Sequence, residues 1–237
     1  MLDFTRFQAL TFDCYGTLIN WEAGIFSALK PILAAHGKSI ADATLLEMYG
    51  ELEAQGEQGE YRPYQEVLSS VVRGFGERLG FSPTETEQRS LPASVPEWRP
   101  FADSVAALRK LQTRYRLAVI SNIDDDLFAA SAPRLEIAFD QVITAQQARC
   151  YKPGLAIFNR ALAKIGEAPE HVLHVGQSIY HDVIPAQTLG LSTVWVNRPS
   201  PRPNVGAVKP AVGTPDLEVS SLQSLADLAV PAAPQVN

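Results

Sequence analysis

The chain has 237 residues, of which 46% are hydrophobic and 19% are charged, so it has a globular composition and enough length to bury a sizeable core. Its formal net charge of −6 argues against a nucleic-acid partner. It contains no apolar run of the roughly 20 residues that span a bilayer, no signal-peptide pattern in residues 1–6, and only two cysteines. We therefore expect a cytoplasmic protein that binds neither membrane nor nucleic acid.

Short apolar segments that end in turn or polar residues predict buried parallel strands. They lie at residues 9–12, 117–120, 171–175 and 192–196, with a weaker fifth at 140–144. Segments with helical spacing separate them. Strands that alternate with helices predict an α/β fold with a doubly wound parallel sheet.

The stretch from Trp21 to residue 96 interrupts this alternation, because it has helical patterns but no convincing strand. Pro92, Pro96 and Pro100 mark its exit. We predict a helical insert over residues 21–96 and a core built from residues 1–20 and 97–237. A last helix is predicted over residues 217–228.

Polar residues follow the predicted strands, and ligands of open parallel sheets bind beyond the carboxyl ends of the strands. Two carboxylates, an ammonium group and several hydroxyl or amide donors at one such crevice suit covalent catalysis by a carboxylate. The candidates are Asp13, Thr17, Ser121, Asn122, Lys152, Ser178 and Asp182.

Four segments in order resemble the motifs of the haloacid dehalogenase superfamily. They are FDCYGTL (12–18), ISN (120–122), YKP (151–153) and VGQS (175–178), the last followed by Asp182. The branch that looks most similar is the 2-haloacid dehalogenase type, with relatives that open small cyclic amino acids such as azetidine-2-carboxylate. The resemblance implies a Rossmann-like core with a helical cap, Asp13 as nucleophile, Lys152 as the cation that keeps it ionised, and Ser121 and Asn122 as donors.

Two positions depart from the phosphatases of that superfamily. Tyr15 stands where they carry a second aspartate, and Gln177 stands where they carry an aspartate that holds Mg²⁺. A phosphoryl group needs a divalent cation to offset its charge against a carboxylate, whereas a carbon electrophile does not. The two changes together favour attack at carbon without a metal or other cofactor.

A third departure concerns the cap. Characterised 2-haloacid dehalogenases resemble one another in a cap arginine that receives halide and substrate carboxylate, and this chain has no arginine between Arg6 and Arg62. Candidates for its place are Lys30, Lys38, Arg62 and Arg73. The simplest interpretation of Glu51, Glu53, Glu57 and Glu60 is a solvated face. His174 is expected in the core and His181 on a helix surface.

We therefore predict a metal-independent hydrolase of small 2-substituted carboxylates that forms an ester at Asp13. Lys152 and Asp182 complete the catalytic set. The predicted substrate-binding residues are Thr17, Tyr15, Ser121, Asn122 and Ser178. Three alternatives stay open: ring opening of a small cyclic amino acid, a Mg²⁺-dependent phosphatase, and a non-catalytic module that binds a carboxylate. A homodimer is the common default for soluble enzymes.

Overall fold

The computed structural model describes residues 2–199 and 211–231. Within these ranges six strands form one parallel sheet in the order β3-β2-β1-β4-β5-β6. The strands are β1 (Ala9–Phe12), β2 (Arg116–Ser121), β3 (Gln141–Thr144), β4 (Val172–Gly176), β5 (Ser192–Val196) and β6 (Leu217–Val219). This doubly wound order confirms the predicted fold class, and it places the switch point, where ligands of such sheets bind, between β1 and β4.

The central strands are buried along their whole length. All four residues of β1 and all five of β4 are buried, as expected for parallel strands covered on both faces. Phe12 lies opposite Val119 of β2 and opposite Val175 of β4. Because of this register, the residues that follow β1, β2 and β4 emerge side by side at one edge of the sheet.

The segment predicted as a helical insert contains four α-helices and the start of a 3₁₀ helix (Val95–Glu97). The structure describes all of residues 21–96, and no strand lies among them. The four α-helices are α1 (Trp21–Ala35), α2 (Asp42–Gly56), α3 (Tyr64–Leu79) and α4 (Glu85–Ser94). Asp124, which lies just after β2, accepts hydrogen bonds from the backbone N–H groups of Tyr64 and Gln65, both at 2.9 Å. A carboxylate of the core thus caps the first turn of a cap helix.

The remaining α-helices of the described ranges lie outside this segment. They are α5 (Ser104–Gln112), α6 (Asp125–Ser131), α7 (Ala145–Ala148), α8 (Leu155–Ile165), α9 (Ile184–Thr188) and α10 (Leu222–Ala229). The predicted helix over 217–228 is wrong in its first residues, because Leu217–Val219 pairs with β5 as the edge strand β6. Residues 200–210 and 232–237 of the predicted core segment lie outside the described ranges. No helix in the described ranges is long and apolar enough to cross a membrane.

Candidate active site

Asp13 follows β1 directly, and its backbone N–H donates to Val175 O (2.9 Å), which extends the β1–β4 pairing by one residue. Its side chain is almost buried. Thr17 Oγ1 donates to Asp13 Oδ2 (2.7 Å) and Lys152 Nζ donates to Asp13 Oδ1 (2.8 Å). Each carboxylate oxygen therefore has a donor that fixes its direction.

Lys152 is fully enclosed, and its ammonium group has three acceptors. Besides Asp13 Oδ1 it donates to Asp182 Oδ1 (2.7 Å) and to Ile120 O (3.1 Å), which accounts for all three of its protons. Asn122 holds the backbone on either side of this lysine, since its Oδ1 accepts from Lys152 N (2.7 Å) and its Nδ2 donates to Lys152 O (3.2 Å). The Asn122 amide thus positions the lysine.

Asp13, Lys152 and Asp182 form a triad of ionisable side chains. Burial and neighbouring charges shift their pKa values in opposite directions. Burial raises the pKa of Asp13 above its ordinary value, and nearby Asp182 adds to this, while Lys152 and Thr17 oppose it. Burial also disfavours the ionised form of Asp182, but Lys152 and the hydrogen bond with His174 outweigh it, so the pKa of Asp182 lies below its ordinary range. Burial alone would lower the pKa of Lys152, yet the two carboxylates hold it above its ordinary value. Asp13 is therefore the more basic of the two carboxylates.

Asp182 is held by the turn that follows β4. Its Oδ2 accepts from Ser178 N (3.1 Å), and its Oδ1 lies 3.3 Å from His174 Nε2. A Cβ at Gly176 would lie 2.5 Å from atoms of the Asp182 side chain, so glycine is what allows this close approach. His174 also pairs with Thr11 Oγ1 (2.8 Å) and is fully buried, which confirms it as a core histidine.

A cavity of about 50 Å³ opens over Asp13 between the sheet edge and the cap. A single water molecule needs roughly 10–15 Å³ of such free volume, so the cavity suits a molecule of a few heavy atoms. Seven of the eight predicted site residues line it, and Thr17 lies behind Asp13 instead. The lining is Asp13, Tyr15, Trp21, Glu53, Glu57, Tyr64, Ser121, Asn122, Lys152, Gln177, Ser178, His181 and Asp182.

Comparison with known proteins identifies the family of this chain. A family model described as haloacid dehalogenase-like hydrolase matches residues 7–190. The chain belongs to that family. It is 24% identical over 194 residues to the (S)-2-haloacid dehalogenase of Pseudomonas fluorescens, covering 81% of this chain and 85% of that one.

Two further matches bear on the fold and on the alternatives. The hydrolase is 35% identical over 102 residues to the glyceraldehyde 3-phosphate phosphatase of Methanothermobacter thermautotrophicus, covering 42% of this chain and 45% of that one. A solved structure of L-2-haloacid dehalogenase from Xanthobacter autotrophicus with chloropropionic acid covalently bound has a TM-score of 0.80 at 19% identity, and it covers 96% of this chain and all of that one. At that identity, the likeness shows the fold.

Two glutamates of the cap are less exposed than the sequence predicted. Glu53 is buried and Glu57 is half-buried, and both line the cavity, whereas Glu51 and Glu60 are exposed as expected. The solvated-face interpretation is therefore wrong for the first pair. A signal was present in the sequence, because Glu53 and Glu57 continue the four-residue spacing of the buried stripe that includes Tyr49.

His181 also differs from the prediction. It is half-buried and lines the cavity rather than a helix surface. The reason is local, because residues Ile179–Val183 form a π-helical turn after β4, and Ser178 Oγ accepts from His181 N (2.9 Å).

None of the four candidates for the family's cap arginine reaches the cavity. Lys30 pairs with Asp42 (2.7 Å), Arg62 donates to Gly56 O (2.7 Å), Arg73 donates to Gln88 (3.1 Å), and Lys38 is not among the lining residues. Among the described residues that line the cavity there is one lysine and no arginine.

The residues present do not fit the magnesium site of the superfamily's phosphatases. Tyr15 donates to Ser131 Oγ (2.9 Å), and burial raises the pKa of its phenol well above the ordinary value, so the side chain is neutral. Gln177 is neutral as well. Over residues 2–199 and 211–231, no group of three or more His, Cys, Asp and Glu side chains is arranged to hold a metal ion.

Proposed function

We propose that this hydrolase displaces a leaving group from carbon in a small 2-substituted carboxylate, without a metal, through an ester of Asp13. The observation that carries the proposal is the Asp13 carboxylate, oriented by Lys152 and Thr17 at the floor of a small cavity. The neutral side chains of Tyr15 and Gln177 stand where a phosphatase would need acids. The binding partner in this proposal is the small-molecule substrate itself.

In the first step, one oxygen of Asp13 attacks the carbon that bears the leaving group. A C–O bond to Asp13 forms, and the bond to the leaving group breaks with its electron pair. Lys152 and Thr17 hold the carboxylate in one orientation, which reduces the entropy lost in reaching the reactive geometry. Tyr15, Ser121, Asn122 and Ser178 line the space in which the substrate is oriented.

In the second step, water attacks the carboxyl carbon of the Asp13 ester. Asp182 and the polar side chains around it position the water. The oxyanion develops on the Asp13 oxygen that is not in the ester. If that oxygen is Oδ1, Lys152 is its oriented donor, and if it is Oδ2, Thr17 is. The ester C–O bond then breaks, the departing oxygen takes one proton of the water, and the second proton is released to solvent. The oxygen of the water remains in the Asp13 carboxylate, and the product leaves as an alcohol.

Two comparisons support this substrate class. The relative from Pseudomonas fluorescens is an (S)-2-haloacid dehalogenase, and the enzyme from Xanthobacter autotrophicus has been solved with chloropropionic acid covalently bound. A cavity of about 50 Å³ also restricts the substrate to a small molecule.

Chloride release from 2-chloropropionate tests the proposal. We expect release by the wild type that a chelator does not reduce, and loss of release in Asp13→Asn. Ring opening of azetidine-2-carboxylate, measured in parallel, separates the alternative with a nitrogen leaving group.

Turnover of aryl phosphates that requires Mg²⁺ would support a phosphatase instead. Equal inactivity of wild type and Asp13→Asn with all of these substrates would support a binding module.

A further inference from the structure

The cap contributes two carboxyl groups to the cavity that the displacement reaction does not use. Glu53 lies in the last turn of α2, and Glu57 directly follows this helix. They are four residues apart and both face the cavity that Asp13 lines from the other side.

Both carboxyl groups are held in place by hydrogen bonds. Glu53 Oε1 accepts from Tyr49 (3.0 Å) and from Tyr64. Glu57 Oε1 accepts from Asn122 Nδ2 (3.2 Å), the amide that also positions Lys152. Phenol and amide donors aimed at these oxygens leave them as oriented acceptors on the cavity wall.

With these two groups, the cavity lining has more acidic than basic side chains. Four carboxyl groups line it, from Asp13, Asp182, Glu53 and Glu57, against the single ammonium of Lys152. That ammonium already serves Asp13, Asp182 and a backbone carbonyl, and His181 is the one other lining side chain among the described residues that can carry positive charge.

The effect of this imbalance appears in the titration of the two glutamates. Burial, together with the charge of Asp13, raises the pKa of Glu53 to about 7, although two phenol donors oppose the change. Burial and the neighbouring Glu53 also raise the pKa of Glu57 well above its ordinary value. Carboxyl groups in this situation either take up protons or accept a cation.

We propose that Glu53 and Glu57 bind an ammonium group of the substrate, so that the substrate is a small zwitterion with a protonated amine near the reacting carbon. This inference rests on the proposed function, since it concerns the substrate of the same cavity. A simple 2-haloacid such as 2-chloropropionate adds only an anion to a cavity whose described lining residues include no arginine. A zwitterion also supplies a cation, so we expect 2-chloropropionate to react as the poorer substrate of the two kinds.

A matched pair of ligands tests the inference in the Asp13→Asn background, in which the ester route is blocked. Alanine and lactate have the same carbon skeleton and differ at C2 in an ammonium or a hydroxyl group. We expect alanine to bind at least about tenfold more tightly than lactate, as for one partly buried charge pair. Adding Glu57→Gln should bring the two affinities close together, as should Glu53→Gln, whereas Glu60→Gln, at an exposed site outside the cavity, should leave the ratio unchanged.

Calorimetric titration to tens of millimolar, with the unfolding midpoint of each variant as a folding control, gives the result. Alanine affinity no greater than that of lactate, including undetected binding of both, overturns the inference, as does a ratio that both Glu57→Gln and Glu53→Gln preserve. These outcomes leave the ester route intact. Turnover by Asp13→Asn would instead refute the proposed function without changing the ratio.

Discussion

Glu53→Gln should remove a pH dependence of stability that the buried carboxyl creates. Glu53 is 8% exposed, and Tyr49 and Tyr64 donate to its Oε1. Its pKa rises from the ordinary 4.5 to about 7, so the folded state holds the proton more tightly than the unfolded state does. Stability from this group is fully present below pH 4.5 and is lost as the pH rises through 7.

The size of the effect follows from that difference. Each unit of pKa corresponds to about 1.4 kcal/mol, so Glu53 contributes up to about 3 kcal/mol to the free energy of unfolding in acid. Between about pH 5 and about pH 8 the wild type should lose roughly 2–3 kcal/mol that the variant keeps. The variant retains a carbonyl oxygen that accepts from both tyrosines, so its packing changes little.

Urea unfolding at these two pH values measures the free energy of unfolding for each protein. The comparison uses the change with pH in each protein, which cancels any constant cost of the substitution. Glu60→Gln is the matched control, since it removes an exposed glutamate of the same region and should follow the wild type. Equal pH dependence in wild type and Glu53→Gln would refute the account of this group.

Three other substitutions test the contacts that hold Asp13 and Asp182 in place. Lys152→Met leaves Asp13 and Asp182 buried without their cation, which should cost about 3–5 kcal/mol in urea unfolding; an unchanged midpoint would contradict this. Thr17→Val removes the hydrogen bond to the Asp13 carboxylate, and a hydrogen bond to a charged group is worth about 1.5–3 kcal/mol. Because this bond lowers the pKa of Asp13, its loss should move the acid limb of the pH–rate profile to higher pH, whereas Thr17→Ser should not. Gly176→Ala places a methyl group 2.5 Å from Asp182, so turnover should fall sharply, and normal kinetics would show that the turn adapts.

The strand ends could be predicted from sequence because a buried parallel strand carries its own signal. A short apolar run that ends in a polar residue located Asp13 and Ser121. The register of the sheet then brings those ends together, as the alignment of Phe12 with Val119 and Val175 shows. Lys152 has no such signal of its own, and only the order of the motifs indicated that a loop lysine lies against Asp13.

The cap residues that line the cavity could not be predicted in the same way. Glu53 and Glu57 extend an apolar helical stripe, but glutamates are most often exposed, and only the folded cap shows that they face Asp13. Strand β6 was missed because three residues are too few for a reliable pattern. The sequence favoured a substrate role for Asn122, yet hydrogen bonds across 30 residues of chain determine that it also positions Lys152.

The aspartyl ester is tested most directly by a single turnover in ¹⁸O-labelled water with enzyme in excess over 2-chloropropionate or azetidine-2-carboxylate, whichever is consumed. Mass spectrometry of the peptide that contains Asp13 then locates the label. We expect one ¹⁸O atom in the Asp13 carboxylate and an unlabelled hydroxyl in the product. Label in the product alone would mean that water attacks the substrate directly, and it would contradict the ester route.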